Sequence, residues 1–236
     1  MDLKLKDVAE LLNVSETTVR RWISDGKIPY YRLNQQLRFS RGEIESWLLS
    51  SRQEGEFSAF RDSNSLDSHQ LGTHQFGLFR AIYRGGVYHG ISGEGKEEVI
   101  QAAMKQIGEH LSLDAEVITG LLLDREALMP TALSNGVGVP HTRDFLLPES
   151  FDAVSVVFLE KPIEYGALDG QPVDILYFLF ACDDKRHLHL LAKLAHLSSK
   201  PEHLAFLRTR PSKEHLLDSI KKWEAELKPS RHAVLV

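Results

Sequence analysis

Residues 135–141 read Asn-Gly-Val-Gly-Val-Pro-His, and this stretch decides how the larger part of the chain is read. Glycines at 136 and 138 permit tight turns and close backbone approach, and such loops can expose amide N–H groups to an anion. Pro140 fixes the chain just before His141 and so holds that imidazole in a defined pose. A lone histidine is more often structural than chemical, but this setting favours chemistry. A neutral imidazole is a nucleophile near neutral pH and can take a phosphoryl group on one ring nitrogen.

A phosphoryl group in transfer calls for a cation and a second donor beside it. Arg125, in Leu-Asp-Arg-Glu-Ala-Leu (123–128), supplies the charge, and His187, in Arg-His-Leu-His-Leu (186–190), supplies a second imidazole. The two-residue spacing of His187 and His189 invites a zinc reading, but on a helix such positions point apart. His189 reads as a helix-surface residue. No metal and no cofactor are expected.

Outward from this loop, helical periodicity runs over 96–111 and 114–128, the latter with Asp114 as cap. Residues 153–159 and 173–181 are strand-like, and helices are expected over 184–198 and 213–227. Strands interleaved with helices argue for a layered α/β domain.

The N-terminal 50 residues have a different grain. An amphipathic helix is expected over 3–13, followed by Ser15 as N-cap of a helix over 16–24 that stops at Asp25-Gly26. Tyr30–Leu33 and Leu37–Phe39 read as a hairpin around Asn34-Gln35-Gln36, and Ser40 precedes a last helix over 41–49. Two short helices and a hairpin make a winged helix-turn-helix, whose second helix enters the DNA major groove. Its exposed face offers Glu16, Thr17, Arg20 and Arg21; Arg is the commonest reader of guanine edges. Arg32 and Arg38 on the hairpin would contact phosphates. Val19, Trp22 and Ile23 belong to the core. Arg20 and Arg21 as a merely solvated face is the alternative.

Residues 51–75 lose periodicity and are rich in Ser, Asp, Asn, Gln and Gly, which reads as a flexible linker. The expected division is therefore 1–50 helix-turn-helix, 51–75 linker, 76–228 α/β domain and 229–236 tail. Net charge is −5, of which residues 1–50, with eight basic and seven acidic side chains, carry +1. The single cysteine, Cys182, excludes an internal disulfide and an all-cysteine metal site. The opening Met-Asp-Leu-Lys-Leu-Lys lacks a signal-peptide run, and no apolar run approaches bilayer length, so a cytoplasmic protein without membrane insertion is expected.

Two resemblances sharpen this. V-A-E-L-L-N-V-S-E-T-T-V-R-R-W-I-S-D-G-K-I-P, ending in E-I-E-S-W-L-L, resembles the excisionase-like branch of the MerR helix-turn-helix superfamily, over nearly all of 3–49. D-R-E-A-L, S-N-G-V-G-V-P-H, P-I-E-Y-G-A-L-D-G-Q-P-V-D and H-L-H-L-L-A-K-L-A-H-L, in that order, are similar to the fructose/mannitol-type IIA domain of the bacterial phosphotransferase system. The nitrogen-regulatory IIA-like proteins are the nearest subgroup. This second match spans roughly 76–225 and implies a mixed sheet flanked by helices. It also implies His141 as phosphoacceptor, with Arg125 and His187 as the phosphate-stabilising pair. The implied partners are an HPr-type phosphocarrier as donor, and a IIB subunit or a regulated protein as recipient. The chain departs from the family pattern in two places. Met129-Pro130-Thr131-Ala132 stands where Ser-Thr-Gly or Ser-Thr-Ala is usual, and Gly138 stands where Ala is common.

The expectation is a phosphocarrier-type regulator coupled to a DNA-binding unit, rather than a conventional enzyme. The alternatives are a carrier for a separate IIB subunit, with the helix-turn-helix as a docking module, and a degenerate domain that takes no phosphate. No IIB or IIC segment is present, so a transporter is not expected.

Overall fold

A computed structural model of the chain describes residues 2–12, 14–50, 77–142, 147 and 151–226. The expected linker (51–75) and tail (229–236) lie outside the described residues.

The smaller unit comprises β1 (Asp2–Lys4), α1 (Leu5–Leu12), α2 (Glu16–Ser24), β2 (Tyr31–Leu33), β3 (Gln36–Ser40) and α3 (Arg41–Ser50). Ser15 caps α2 by accepting the Thr18 amide at 3.1 Å. After α2 the chain turns at Gly26, whose φ of +66° suits glycine. Asn34 and Gln35, both at positive φ, close a two-residue turn between β2 and β3. One expectation is corrected here. Residues 2–4 are not the start of a helix; they pair antiparallel with β3, Leu3 opposite Phe39, and the helix begins at Leu5. A pairing with residues 38–40 overrides the local periodicity.

The larger unit holds α4 (Gly77–Gly85), β4 (Val87–Ile91), α5 (Lys96–Leu111), α6 (Ala115–Leu128), β5 (Val137–Gly138), β6 (Ala153–Ile163), β7 (Val173–Phe180), α7 (Asp184–Ser198), α8 (Pro201–Arg208) and α9 (Lys213–Glu226). Its four-stranded sheet has the order β4-β6-β7-β5. The outer pairs are parallel and the central β6–β7 pair is antiparallel, so the sheet is mixed. Asp114 caps α6 through the amides of Glu116 and Val117.

Strand side chains alternate between two cores. Val154, Val156, Phe158, Ile175, Tyr177 and Leu179 pack with α4, α7, α8 and α9. Val157, Leu159, Leu176, Phe178 and Phe180 pack with α5 and α6 on the other face. Glu224 of α9 fastens the first of these layers. Its carboxylate accepts the Leu78 and Phe79 amides at 3.0 Å each, at the start of α4, and pairs with the partly buried Lys193.

The two units are packed together. Helices α1 and α3 lie against α7, and one apolar cluster runs from Leu5, Val8 and Leu12 through Ile44 and Leu48 to Leu188, Leu191 and Ala192. Ion pairs Arg41–Asp184 and Lys185–Glu10 (2.9 Å) flank this seam. Among the described residues no helix is long and apolar enough to cross a membrane.

Candidate active site

His141 stands three residues beyond the end of β5, at the edge of the sheet. The carbonyl of Pro140 accepts the Leu179 amide at 3.0 Å, and His141 itself bridges to Leu179 in parallel register. The glycines before it seat the loop against β7. Gly136 sits at φ +82°, where a Cβ would also stand 3.2 Å from Asp174 Oδ1 and from the Pro172 carbonyl. A Cβ on Gly138 would lie 2.7 Å from Leu176 Cδ2. Thr131, in the segment that departs from the family pattern, is buried, and both its amide (3.1 Å) and its hydroxyl (2.6 Å) donate to Glu126. Glu126, next in line after Arg125, thus fastens the strand-like segment that receives the Val139 amide at Thr131.

The imidazole is oriented from both sides. Nδ1 is 2.7 Å from the Val139 carbonyl, which can only accept, so Nδ1 carries a proton and Nε2 is the nitrogen turned into the site. Facing Nε2 at 3.0 Å is Oε1 of Glu45, from α3 of the smaller unit. Arg125, in the last turn of α6, reaches the same oxygen with its Nη2 at 2.8 Å and its Nε at 3.3 Å. Its Nη1 donates to the carbonyl of Met129, the residue that ends α6, at 3.0 Å. His187, in the first turns of α7, brings its ring centroid to 5.1 Å from that of His141, edge to face.

All four side chains are withdrawn from water: Glu45 and His141 are 0% exposed, His187 1% and Arg125 6%. Burial pushes the Glu45 carboxyl upward. Its hydrogen bonds and charge interactions with His141 and Arg125 more than offset this, and hold it well below the usual carboxylate range. Glu45 is therefore ionised and accepts only. With acceptors at both ring nitrogens, His141 donates on both sides in this arrangement. Burial, then the positive charge of His141, holds His187 well below the ordinary histidine value, so it sits neutral.

Glu45, His141 and His187 each place one ligand atom within 4.8 Å of the others, a spacing that suggests a metal. Arg125 argues against it, since a divalent ion would share Oε1 with a guanidinium already 2.8 Å away. An anion is what this pocket is built to hold, and a carboxylate is the anion found in it.

Sequence reasoning brought Arg125, His141 and His187 to one place, and the structure puts them there; it missed Glu45. The signal was available. On α3, Glu45 shares the buried stripe of Ile44, Leu48 and Leu49, and a charged residue there demands a partner. His189, expected on the surface, is half-buried.

The residues expected to meet DNA stand apart from this site. Thr17, Arg20 and Arg21 are exposed on α2, and Arg32 is exposed on β2. Arg20 pairs loosely with Glu16 at 3.9 Å. Arg38 on β3 is half-buried, its guanidinium donating to the Leu37 carbonyl and to Gln36. Val19 and Trp22 are core, as expected, while Ile23 only packs against the core's margin.

Comparison with known proteins gives two matches along the chain. The family described as phosphoenolpyruvate-dependent sugar phosphotransferase system, EIIA 2, matches residues 86–223, and a helix-turn-helix domain matches residues 3–52. The nitrogen regulatory protein of Klebsiella oxytoca is 32% identical over 130 residues, covering 54% of this chain and 79% of that protein. The transcriptional repressor DcmR of Methylorubrum extorquens is 42% identical over 53 residues, 22% of this chain and 20% of that one. Among solved structures, nitrogen regulatory protein IIA-Ntr from Neisseria meningitidis shares the fold, with a TM-score of 0.50 at 24% identity over 64% of this chain and 94% of its own.

Proposed function

Because the chain belongs to the phosphoenolpyruvate-dependent sugar phosphotransferase system EIIA 2 family, with a helix-turn-helix unit at its N-terminus, we propose that it is a regulatory phosphocarrier phosphorylated on His141 by an HPr-type donor. One observation carries this reading: Nε2 of His141 faces an anion that Arg125 holds 2.8 Å from its guanidinium. In transfer, the proton that Nε2 donates to Glu45 leaves to solvent, and the freed Nε2 lone pair attacks phosphorus. The donor's N–P bond breaks, its electron pair returns to the donor imidazole, and the Nδ1 proton stays on Nδ1, donated to the Val139 carbonyl. Arg125 balances the charge on the phosphoryl oxygens, and neutral His187 supplies a further polar contact in a site shielded from water. Residues 1–50 and 76–228 act as two units joined by 51–75 in the cytoplasm. The first acts on DNA through Thr17, Arg20, Arg21, Arg32 and Arg38.

Incubation with phosphoenolpyruvate, enzyme I and HPr tests the chemistry. Acid-labile phosphate is expected on the wild type and not on His141→Ala; equal labelling of the two proteins would sink the assignment. For DNA, Arg20→Ala/Arg21→Ala is expected to weaken binding and to lower its salt dependence. Binding that responds neither to salt nor to these changes speaks against it.

One observation favours a second reading, in which the helix-turn-helix serves as a docking module and phosphate passes to a separate IIB subunit. Helices α1 and α3 are in fact docked on α7. A protein that labels, transfers to a IIB subunit and ignores DNA would decide for it.

A further inference from the structure

We infer that Glu45 is a built-in occupant of the phosphoryl pocket, so that docking of the helix-turn-helix unit and phosphorylation of His141 exclude one another. The inference rests on the phosphoacceptor reading above and deepens it, by naming what regulates that site.

Nδ1 of His141 is committed to the Val139 carbonyl, so Nε2 is the nitrogen left to attack phosphorus. Oε1 of Glu45 stands against that nitrogen at 3.0 Å and takes two bonds from Arg125, the cation that would otherwise meet phosphoryl oxygens. The carboxylate therefore does two things at once. It fills the place of the incoming group, and, being ionised, it keeps a proton on Nε2 and so ties up the attacking lone pair. Access is closed as well. His141 is 0% exposed while α3 is seated, so no donor protein can reach it in this form.

Glu45 does not wander into the pocket by the freedom of a loose side chain. It projects from α3, one turn beyond Arg41, and Arg41 pairs with Asp184 at the start of α7. The apolar seam between α1, α3 and α7 holds the helix in place. For His141 to react, α3 must lift and Glu45 must leave, and the Nε2 proton must depart with the carboxylate or to solvent. Once His141 carries a phosphoryl group, the pocket is occupied by negative charge, and the return of an ionised carboxylate is opposed by both volume and like charge. The coupling is reciprocal. Whatever holds the small unit down disfavours phosphorylation at equilibrium, and phosphorylation weakens docking of the small unit by the same free energy. The apparent labelling rate is set by the undocked fraction.

The test uses the full chain and two readouts: the rate of acid-labile phosphate incorporation from phosphoenolpyruvate, enzyme I and HPr, and amide hydrogen exchange of residues 41–50 and 184–191. Glu45→Ala is expected to label at least tenfold faster than wild type. Arg41→Ala, which loosens α3 while leaving the pocket intact, should accelerate labelling in the same direction. Fully phosphorylated wild type should lose exchange protection in both segments, as unphosphorylated Glu45→Ala should. Circular dichroism on each variant confirms that it is folded. Labelling of His141 at wild-type rate in both variants, or undiminished protection of α3 after phosphorylation, overturns the exclusion alone. No label on wild type or on either variant overturns the phosphoacceptor reading and the exclusion with it. No label on wild type but label on Glu45→Ala supports both.

Discussion

Arg125 and His141 meet on a single oxygen, Oε1 of Glu45, at 2.8 and 3.0 Å, although one arrives from the end of α6 and the other from the edge of the sheet. What brings them together is backbone. The Met129 carbonyl holds the guanidinium, and the Val139 carbonyl holds the ring.

The first prediction follows from that pair. Arg125→Lys keeps the charge but loses the fork that reaches a ligand oxygen and Met129 together. Phosphate incorporation on His141 is expected to fall on the order of 10²-fold, as when one preorganised donor to a developing charge is lost. The initial labelling rate, compared with thermal stability, separates this loss from unfolding.

Acidification should act in two stages with one sign. His187 and Glu45 both have folded-state values below their ordinary ones of 6.5 and 4.5. A depressed value means that the stabilising form is fully present above the ordinary value and is lost as pH falls toward the lowered one. Stability is thus expected to decline first as pH drops below 6.5, through His187, and again below 4.5, through Glu45. Burial, then the charges of His141, Arg41 and Arg125, lowers His187, whereas hydrogen bonds from His141 and Arg125 lower Glu45 against the effect of burial. Urea unfolding against pH checks this, and His187→Gln should remove the earlier decline while leaving the later one.

Gly138→Ala restores the residue more usual in the family, yet here it should destabilise. The added methyl would stand 2.7 Å from Leu176 Cδ2 inside a packed sheet layer. A cost of about 1–3 kcal/mol is expected from overpacking, read from the urea midpoint. Gly138→Ala/Leu176→Val should recover part of it.

Glu224→Ala should be among the costlier single changes in the larger unit. It strands the partly buried Lys193 and leaves the Leu78 and Phe79 amides without their acceptor. Removing one partner of a buried pair costs about 3–5 kcal/mol. Early loss of exchange protection in α4 is the local signature to measure.

The sequence made some of this legible and hid the rest for physical reasons. The bounds of α5 and α7 fall where periodicity placed them, because long amphipathic helices carry their own signal. Ser15 and Asp114 were visible as caps because capping is local chemistry. Helix α4 and strand β4 escaped notice: α4 is short, and His89-Gly90 interrupts the apolar run of β4. Strand β1 was hidden because its partner lies more than thirty residues away, at 38–40. The site divides in the same way. Arg125, His141 and His187 sit in motifs, whereas Glu45 enters from another unit, and only tertiary packing could bring it there.

Thr17, Arg20 and Arg21 remain exposed while α3 is seated on α7. Nucleic acid would therefore find the same reading face in either state, and phosphorylation would not open or shut it. On the exclusion inferred above, what would change is the geometry of the cargo: a bulky second body held rigidly beside the duplex, or one swung free of it. Since latch and catch belong to one chain, that setting would be independent of how much protein the cell makes and would answer to the supply of phosphoryl donor.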